Sequence, residues 1–466
     1  MTGVEFPLSP QQEFLWEGAR FRSLGQPLAS RGNPSIALEL SGRWEPDRFR
    51  SALDLMIARH EPLRTTLTDL GEAPRQKVGP AIEAPLSFVD LSTTTAPERR
   101  EALARALVAG ARATEFDLVD GPLWTCLLVR LSATRHVLAF AFSHLIIDGV
   151  SLLAFLRQLE DLYSGRELPP LKRQYRHFVE ESAAPLPDLE QRLEHWRRVL
   201  SPLPGRLSFP TDYSATPPAL ISYAEEDFKS RSTTAELREI GRRHRATPFT
   251  LNVAAYALVL GRTSGEPKVV IGSSVARLDL KPDEDSLGYF LDNIFVPVLV
   301  RPRQPVADLV AQVRQSLLDA QRFTVPYRAL AEAVNPDFAE QRPWPGIHLY
   351  DAWVRGRVFE ATSSGTTASF GRTAVTLFSA PGGSAPREVV EPAHQAAYTR
   401  YYLPSLYLND AAGSNGYLEY NRAVFARDTA RRIAADQQHV VARLADASAP
   451  VEETWQAVRR RENGKA

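Results

Sequence analysis

The stretch Phe142-Ser143-His144-Leu145-Ile146-Ile147-Asp148-Gly149 marks a change from one apolar periodicity to another. Val137 to Phe142 is a short unbroken apolar run, the pattern of a strand buried on both faces. From Val150 onward, Leu152, Phe155, Leu156, Leu159 and Leu162 recur at helical spacing, and Gly165 supplies a stop. The octapeptide is therefore a strand-to-helix turn anchored at both ends by core-forming elements, with one imidazole at its mouth. A connection held this way lets a catalytic group keep its geometry.

Outward from that turn, helical and strand patterns alternate without low complexity. Residues 48–60 carry Phe49, Leu53, Met56 and Ile57 at helical spacing, and residues 99–113 read as a second amphipathic helix. Thr247 and Pro248 form an N-cap and first-turn pair that predicts a helix over 249–260, ended by the segment from Gly261 to Gly265 and followed by a strand over 268–276. Pro169, Pro170, Pro185 and Pro187 interrupt helical patterns and predict a crossing between two lobes, with the boundary at about residue 180, hence domains 1–180 and 181–466. No short period suggests a solenoid or a propeller.

Composition bounds the chemistry. A chain of 466 residues exceeds one compact core. Its single cysteine, Cys126, lies in an apolar stretch and has no intramolecular disulfide partner. With 55 Lys+Arg against 55 Asp+Glu there is no global field to draw nucleic acid or an anionic membrane, and Arg459, Arg460 and Arg461 read as a solvated basic end. The stretch from Met1 to Pro10 has no basic region followed by an apolar one, and no run reaches the roughly 18 apolar residues of a spanning helix, so the expectation is a soluble cytoplasmic protein. The nine histidines and one cysteine form no ligand motif. A phosphate-cradling loop and a Gly-x-Ser-x-Gly elbow are also missing, so ATP activation and a serine acyl-enzyme are not expected.

A histidine four residues before an aspartate is weak evidence alone, but other stretches occur with it in order. They are Leu8-Ser9-Pro10-Gln11-Gln12-Glu13-Phe14-Leu15-Trp16, Arg59-His60-Glu61-Pro62-Leu63-Arg64-Thr65, Phe116-Asp117-Leu118 with Gly121-Pro122-Leu123, Tyr175-Arg176-His177-Phe178, Ser286-Leu287-Gly288-Tyr289-Phe290-Leu291 and Gly416-Tyr417-Leu418-Glu419-Tyr420-Asn421. Together with the His144 turn they resemble, from about residue 6 to about residue 450, the condensation domains of nonribosomal peptide synthetases, in the chloramphenicol acetyltransferase superfamily. The resemblance implies an α+β fold (α/β two-layer) of two acetyltransferase-like lobes in a V-shaped pseudo-dimer with a central tunnel.

It also implies roles. His144 takes the place of the family's central histidine, and Ser143 replaces the histidine that usually precedes it. An imidazole with an ordinary pKa near 6.5 is mostly unprotonated at neutrality and suits a general base, or a group that positions an amine. Asp148 is expected to pair with Arg277 as a structural brace, and Gly149 to permit a special backbone conformation, a close substrate approach or an oxyanion contact. Ser143, Tyr289, Asp292, Asn293 and Tyr350 are tunnel candidates. Asp292 and Asn293 replace the family's usual Asn-Thr, so Asp292 either contacts an unusual acceptor or faces solvent. His177 stands where an aspartate is common and reads as a packing or surface residue.

The expected activity is condensation-type acyl transfer by a free-standing enzyme, a reading favoured by Met1 and the end at Ala466. An acyl, aminoacyl or polyketide thioester on the phosphopantetheine arm of an acyl or peptidyl carrier protein would pass to a small amine or alcohol, giving an amide or ester in secondary metabolite biosynthesis. No permanently bound cofactor or metal is expected, no nucleic acid or membrane partner, and a monomer. The alternatives are a coenzyme A-dependent acyltransferase of the same superfamily and a non-catalytic module that recruits carrier proteins.

Overall fold

The protein is described by a computed structural model at residues 3–13, 15–16, 33–68, 70, 73–93, 96–201, 209–213, 220–276, 284–334, 352–356, 368–370, 373–378, 387–390, 404–408 and 414–463. In chain order the elements are β1 (Val4–Pro7), β2 (Ser35–Ser41), α1 (Pro46–Arg59), β3 (Thr65–Thr68), β4 (Arg75–Val78), β5 (Leu86–Asp90), α2 (Pro97–Arg112), β6 (Trp124–Arg130), β7 (Arg135–Phe142), α3 (Gly149–Tyr163), α4 (Tyr175–Ser182), α5 (Leu189–Leu200), β8 (Leu220–Lys229), α6 (Thr234–His244), α7 (Pro248–Ser264), β9 (Lys268–Ala276), β10 (Leu291–Leu299), α8 (Val306–Arg322) and α9 (Tyr327–Val334). There follow β11 (Ala352–Gly356), β12 (Ala368–Phe370), β13 (Thr373–Leu377), β14 (Arg387–Val390), β15 (Ser405–Leu408), β16 (Asn415–Asn421), α10 (Arg427–Arg443) and α11 (Val451–Asn463).

The chain forms two compact units that are not contiguous in sequence. One comprises Met1–Pro185, Ala276–Asp292 and Ala361–Pro381; the other comprises Leu186–Val275, Asn293–Glu360 and Gly382–Ala466. The first unit therefore takes in two segments that a single cut at about residue 180 assigns to the second domain.

In the first unit a six-stranded sheet runs β12-β13-β2-β7-β6-β5. Strand β7 is central, antiparallel to β2 and β6, and buried from His136 to Phe142. Its alternation explains the unbroken apolar run. Val137 and Ala139 pack with Ala104 and Val108 of α2, while the rings of Phe140 and Phe142 each meet Phe155 of α3 at 5.2 Å. A strand covered by a helix on each face needs apolar side chains in both registers. A smaller sheet, β1-β4-β3, completes this unit.

The second unit is built on a seven-stranded sheet, β10-β9-β11-β15-β16-β8-β14. Helix α7 starts as its sequence predicts, with Thr247 accepting from the Thr250 N–H and Pro248 in the first turn. It runs four residues past the expected end because Gly261 is a packing residue rather than a terminator. A Cβ there would press on the Glu266 carbonyl and Val300. The left-handed terminator is Gly265, at φ 76°.

Candidate functional site

Strand β7 delivers the turn to a fixed place. At its exit the Ser143 N–H donates to the Leu123 carbonyl at 2.8 Å, and the Ser143 carbonyl accepts from Ile146 N–H at 3.1 Å. Ser143 is buried, and its hydroxyl receives the Leu145 N–H at 3.4 Å. The side chain that replaces the family's first histidine thus closes its own turn.

His144 is half-buried, and its Nδ1 lies 2.9 Å from the Ile147 carbonyl. A carbonyl oxygen only accepts, so Nδ1 carries the hydrogen, and in the neutral ring Nε2 is the basic nitrogen. The Tyr289 ring meets the imidazole edge-on, with centroids 5.1 Å apart and an interplanar angle of 86°. Hydrogen bond and ring contact together restrict both rotations of the histidine side chain.

Asp148 is fully buried. Its Oδ1 accepts from the Ser151 N–H at 2.7 Å, which makes it the N-cap of α3. Its Oδ2 accepts from the Phe290 N–H at 2.8 Å, and its own N–H donates to the Gly288 carbonyl at 3.0 Å. The Ser151 hydroxyl receives the Gly288 N–H at 3.2 Å. Four bonds therefore clasp the turn, the first turn of α3 and the backbone of residues 288–290. The expected ion-pair partner Arg277 lies outside the described residues, as does Tyr350.

Gly149 is the first residue of α3 and is not among the glycines with positive φ. This corrects the expectation of a special conformation. Its small size and a first-turn N–H without an intrahelical acceptor are the properties that remain useful there. Asp292 and Asn293 open β10 on opposite faces. Asp292 is buried rather than solvent-facing, with Oδ2 accepting from Gln11 Nε2 at 3.4 Å, and Asn293 Oδ1 accepts from the Ser274 hydroxyl at 3.2 Å. Ser143 and Tyr289 are thus brought to His144, whereas Asp292 and Asn293 engage other partners.

Two further quoted stretches of the first unit, at residues 59–65 and 175–178, brace this centre. Arg59 Nε and His60 Nε2 both meet Oε1 of Gln158 on α3, at 2.9 and 3.0 Å, and Gln158 Nε2 donates to the Asp285 carbonyl at 2.9 Å. His177 closes a capping box at the start of α4, its Nδ1 accepting from the Gln174 N–H at 2.9 Å. Tyr175 donates its hydroxyl to the Tyr289 carbonyl at 3.0 Å, and burial pushes that phenol well above its usual range, so it stays a donor.

Sequence reasoning gave no role to Gly288, Ser151 or Gln76. Gln76 carried a signal: it is the inward amide of β4, whose burial alternates, and an inward polar side chain needs a partner. Gly288 also explains itself sterically, since a Cβ there would sit inside the Tyr175 ring. Gly288→Ala is expected to destabilise the protein by about 1–3 kcal/mol, as overpacking does, and to lower any His144-dependent activity with it. Chemical denaturation of the variant checks this, and unaltered stability would refute the clasp.

Among the described residues no helix is long and apolar enough to cross a membrane, and no cluster of three or more His, Cys, Asp or Glu could hold a metal ion.

Comparison with known proteins places these observations in a family. The condensation-domain family model matches residues 4–343. Phosphinothricin tripeptide synthetase PhsC of Streptomyces viridochromogenes is 32% identical over 341 residues, which are 71% of this chain and 31% of that protein. The chain therefore spans less than a third of that relative. Among solved structures, SgcC5 of Streptomyces globisporus, in complex with (R)-(-)-1-(2-naphthyl)-1,2-ethanediol and sucrose, has a TM-score of 0.75 and 23% identity, covering 96% of this chain and all of that one. The teicoplanin biosynthesis X-domain, solved with OxyB, has a TM-score of 0.72 and 22% identity, covering 97% of this chain and 96% of that one. The α+β architecture is thus that of condensation-domain proteins of the chloramphenicol acetyltransferase-like fold, and the chain belongs to the condensation-domain family.

Proposed function

We propose that the chain is an acyltransferase that joins an acyl, aminoacyl or polyketide group, carried as a thioester on the phosphopantetheine arm of a carrier protein, to an amine or hydroxyl acceptor, with His144 at the reacting centre. The observation that carries this is the His144 ring itself. Its Nδ1–H is committed to the Ile147 carbonyl, so Nε2 is the nitrogen with proton-accepting capacity, on a turn fixed by Asp148. PhsC, a tripeptide synthetase, favours amide formation; the diol held by SgcC5 keeps a hydroxyl acceptor in view.

The chemistry balances without a cofactor. The acceptor N–H or O–H approaches Nε2, which takes the proton as the acceptor heteroatom bonds to the thioester carbonyl carbon. The tetrahedral oxyanion lies at the positive end of α3, where the Gly149 N–H is a donor. Collapse breaks the C–S bond, and the proton passes from Nε2 to the departing thiolate. The products are an amide or ester and the free thiol of the arm. For a neutral amine, positioning by His144 matters more than base strength. A passage lined by Ser143 and Tyr289 would bring both reactants to the ring.

The test is intact-protein mass spectrometry of an acyl-loaded carrier protein incubated with the chain and a panel of amines and alcohols. Loss of the acyl mass only when acceptor is present, with the coupled product formed, is the expected result. Transfer from acyl-coenzyme A but not from the carrier would favour the coenzyme A-dependent reading. The X-domain likeness supports a second reading, a module that recruits without catalysis. Binding of loaded carrier without turnover for any acceptor would favour that reading and overturn ours.

A further inference from the structure

The amide side chains of Gln12 and Gln76 form a fully buried pair beneath the His144 turn. Gln12 is 0% exposed and Gln76 is 2%. Each Nε2 donates to the other's Oε1, at 2.9 and 3.0 Å. Gln12 Oε1 also accepts from the Ser9 N–H at 2.8 Å, and its Nε2 donates to the Leu145 carbonyl at 2.7 Å. Gln76 Nε2 is tied to the Pro7 carbonyl at 2.9 Å. The Gln12 amide thus uses both hydrogens and both acceptor positions. One of those four bonds ends on the carbonyl of the residue that follows His144.

A second path runs from the same place. The Gln12 N–H donates to Ser9 Oγ at 3.1 Å, and Ser9 Oγ lies 3.4 Å from the Tyr175 hydroxyl. Tyr175 gives its single hydrogen to the Tyr289 carbonyl, so Ser9 is the donor to Tyr175. Tyr289 then presents its ring to His144. Backbone and ring support of the imidazole therefore both trace back to the turn that begins at Ser9.

We propose that Gln12 is a positioning residue for His144, held by Gln76, and that it selects the ring orientation in which Nδ1 faces the Ile147 carbonyl and Nε2 faces the reactants. A buried amide network is stabilising only when complete, and this one is complete on the side that meets the reactive turn. The inference rests on His144 as the reacting group, but its test does not depend on turnover.

The test compares Gln12→Met, Gln76→Met and the double variant. Three quantities are measured: thermal unfolding, the tautomer of the His144 ring by ¹⁵N NMR (assigned by its loss in His144→Ala), and kcat and KM for acyl transfer. Each single change leaves a buried amide short of partners and should lower stability; the double change removes the amide stranded by Gln12→Met but still orphans the Ser9 N–H and the Leu145 carbonyl, so it should be more stable than Gln12→Met and less stable than the parent. In the double variant the His144 tautomer should move from Nδ1–H toward the Nε2–H form that free imidazole prefers. The kcat should fall about tenfold to a hundredfold with KM unchanged, the effect of a small misplacement.

A folded double variant with the parental tautomer and the parental kcat would overturn the proposal. If the double variant does not fold, Gln76→Met alone decides. It leaves Gln12 bound to Ser9 and Leu145, so a smaller shift of the tautomer in the same direction is expected and an unchanged tautomer refutes the role. A tautomer shift in a protein whose parent shows no turnover would support the positioning and refute the proposed activity.

Discussion

Replacing His144 by alanine should sharply lower the proposed acyl transfer and leave the fold nearly as stable as the parent. The ring is half-buried, and it meets the turn through Nδ1 and the Tyr289 edge. Alanine leaves the Ile147 carbonyl facing the space vacated by the half-buried ring, which water entering from the surface can fill to replace the lost donor. Little packing is lost, so the unfolding midpoint should move by a few degrees at most. Loss of a positioned base should cost about 10²–10⁴-fold in kcat for a hydroxyl acceptor, whose own pKa lies far above neutrality. A neutral amine needs less help with its proton and should show the smaller loss. Single-turnover transfer from a loaded carrier, measured with a matched amine and alcohol, separates the two. Parent-like turnover of His144→Ala with both acceptors would end the case for this ring.

Asp148→Ala should instead damage stability and activity together. The carboxylate caps α3 through Ser151 and holds the Phe290 N–H, and all of it is buried. Loss of an N-cap costs about 0.5–2 kcal/mol. An orphaned buried N–H costs about 1–3 kcal/mol more. A total of roughly 2–5 kcal/mol is a large share of the stability of an ordinary domain, so the denaturation midpoint should fall clearly. Asp148→Asn should recover only part. Its amide oxygen can serve one of the two N–H groups, while its NH₂ meets the other donor to donor. A variant that keeps parental stability but loses turnover would reassign Asp148 from brace to reactant contact.

Much of this arrangement was legible in the residues, and the exceptions have physical causes. The unbroken run of 137–142 announced a strand covered on both faces because each register packs on a different helix, and β7 does so. The amphipathic spacing after Val150 announced α3 in the same way. The pairing of β13 with β2, which sets Ala374 opposite Ser41, could not be read. Local periodicity says that a strand exists and not which distant strand it joins.

At the site, His144, Asp148 and Tyr289 stood in quoted motifs, and the structure brings them together. Gln76 sits in no such motif, and its meaning depends on Gln12, which lies 64 positions away. Asp292 divided evenly between two readings because a carboxylate in a loop has no periodicity to place it; burial against Gln11 removed the solvent option. The resemblance suggested a side-chain cation for Asp148, whereas its described partners include backbone N–H groups, which no residue identity advertises.

The clasp around Asp148 bears on how such a protein comes off the ribosome and on how its gene can be cut. The amide that secures the carboxylate is encoded 142 codons downstream of it. A nascent chain halted after α3 would hold the histidine without its fastening, so the turn is secured only once residue 290 has emerged. Splicing a foreign second half onto the first at residue 185 would exchange that fastening too. Chimeras should therefore keep residues 276–292 with the parent of the amino-terminal half.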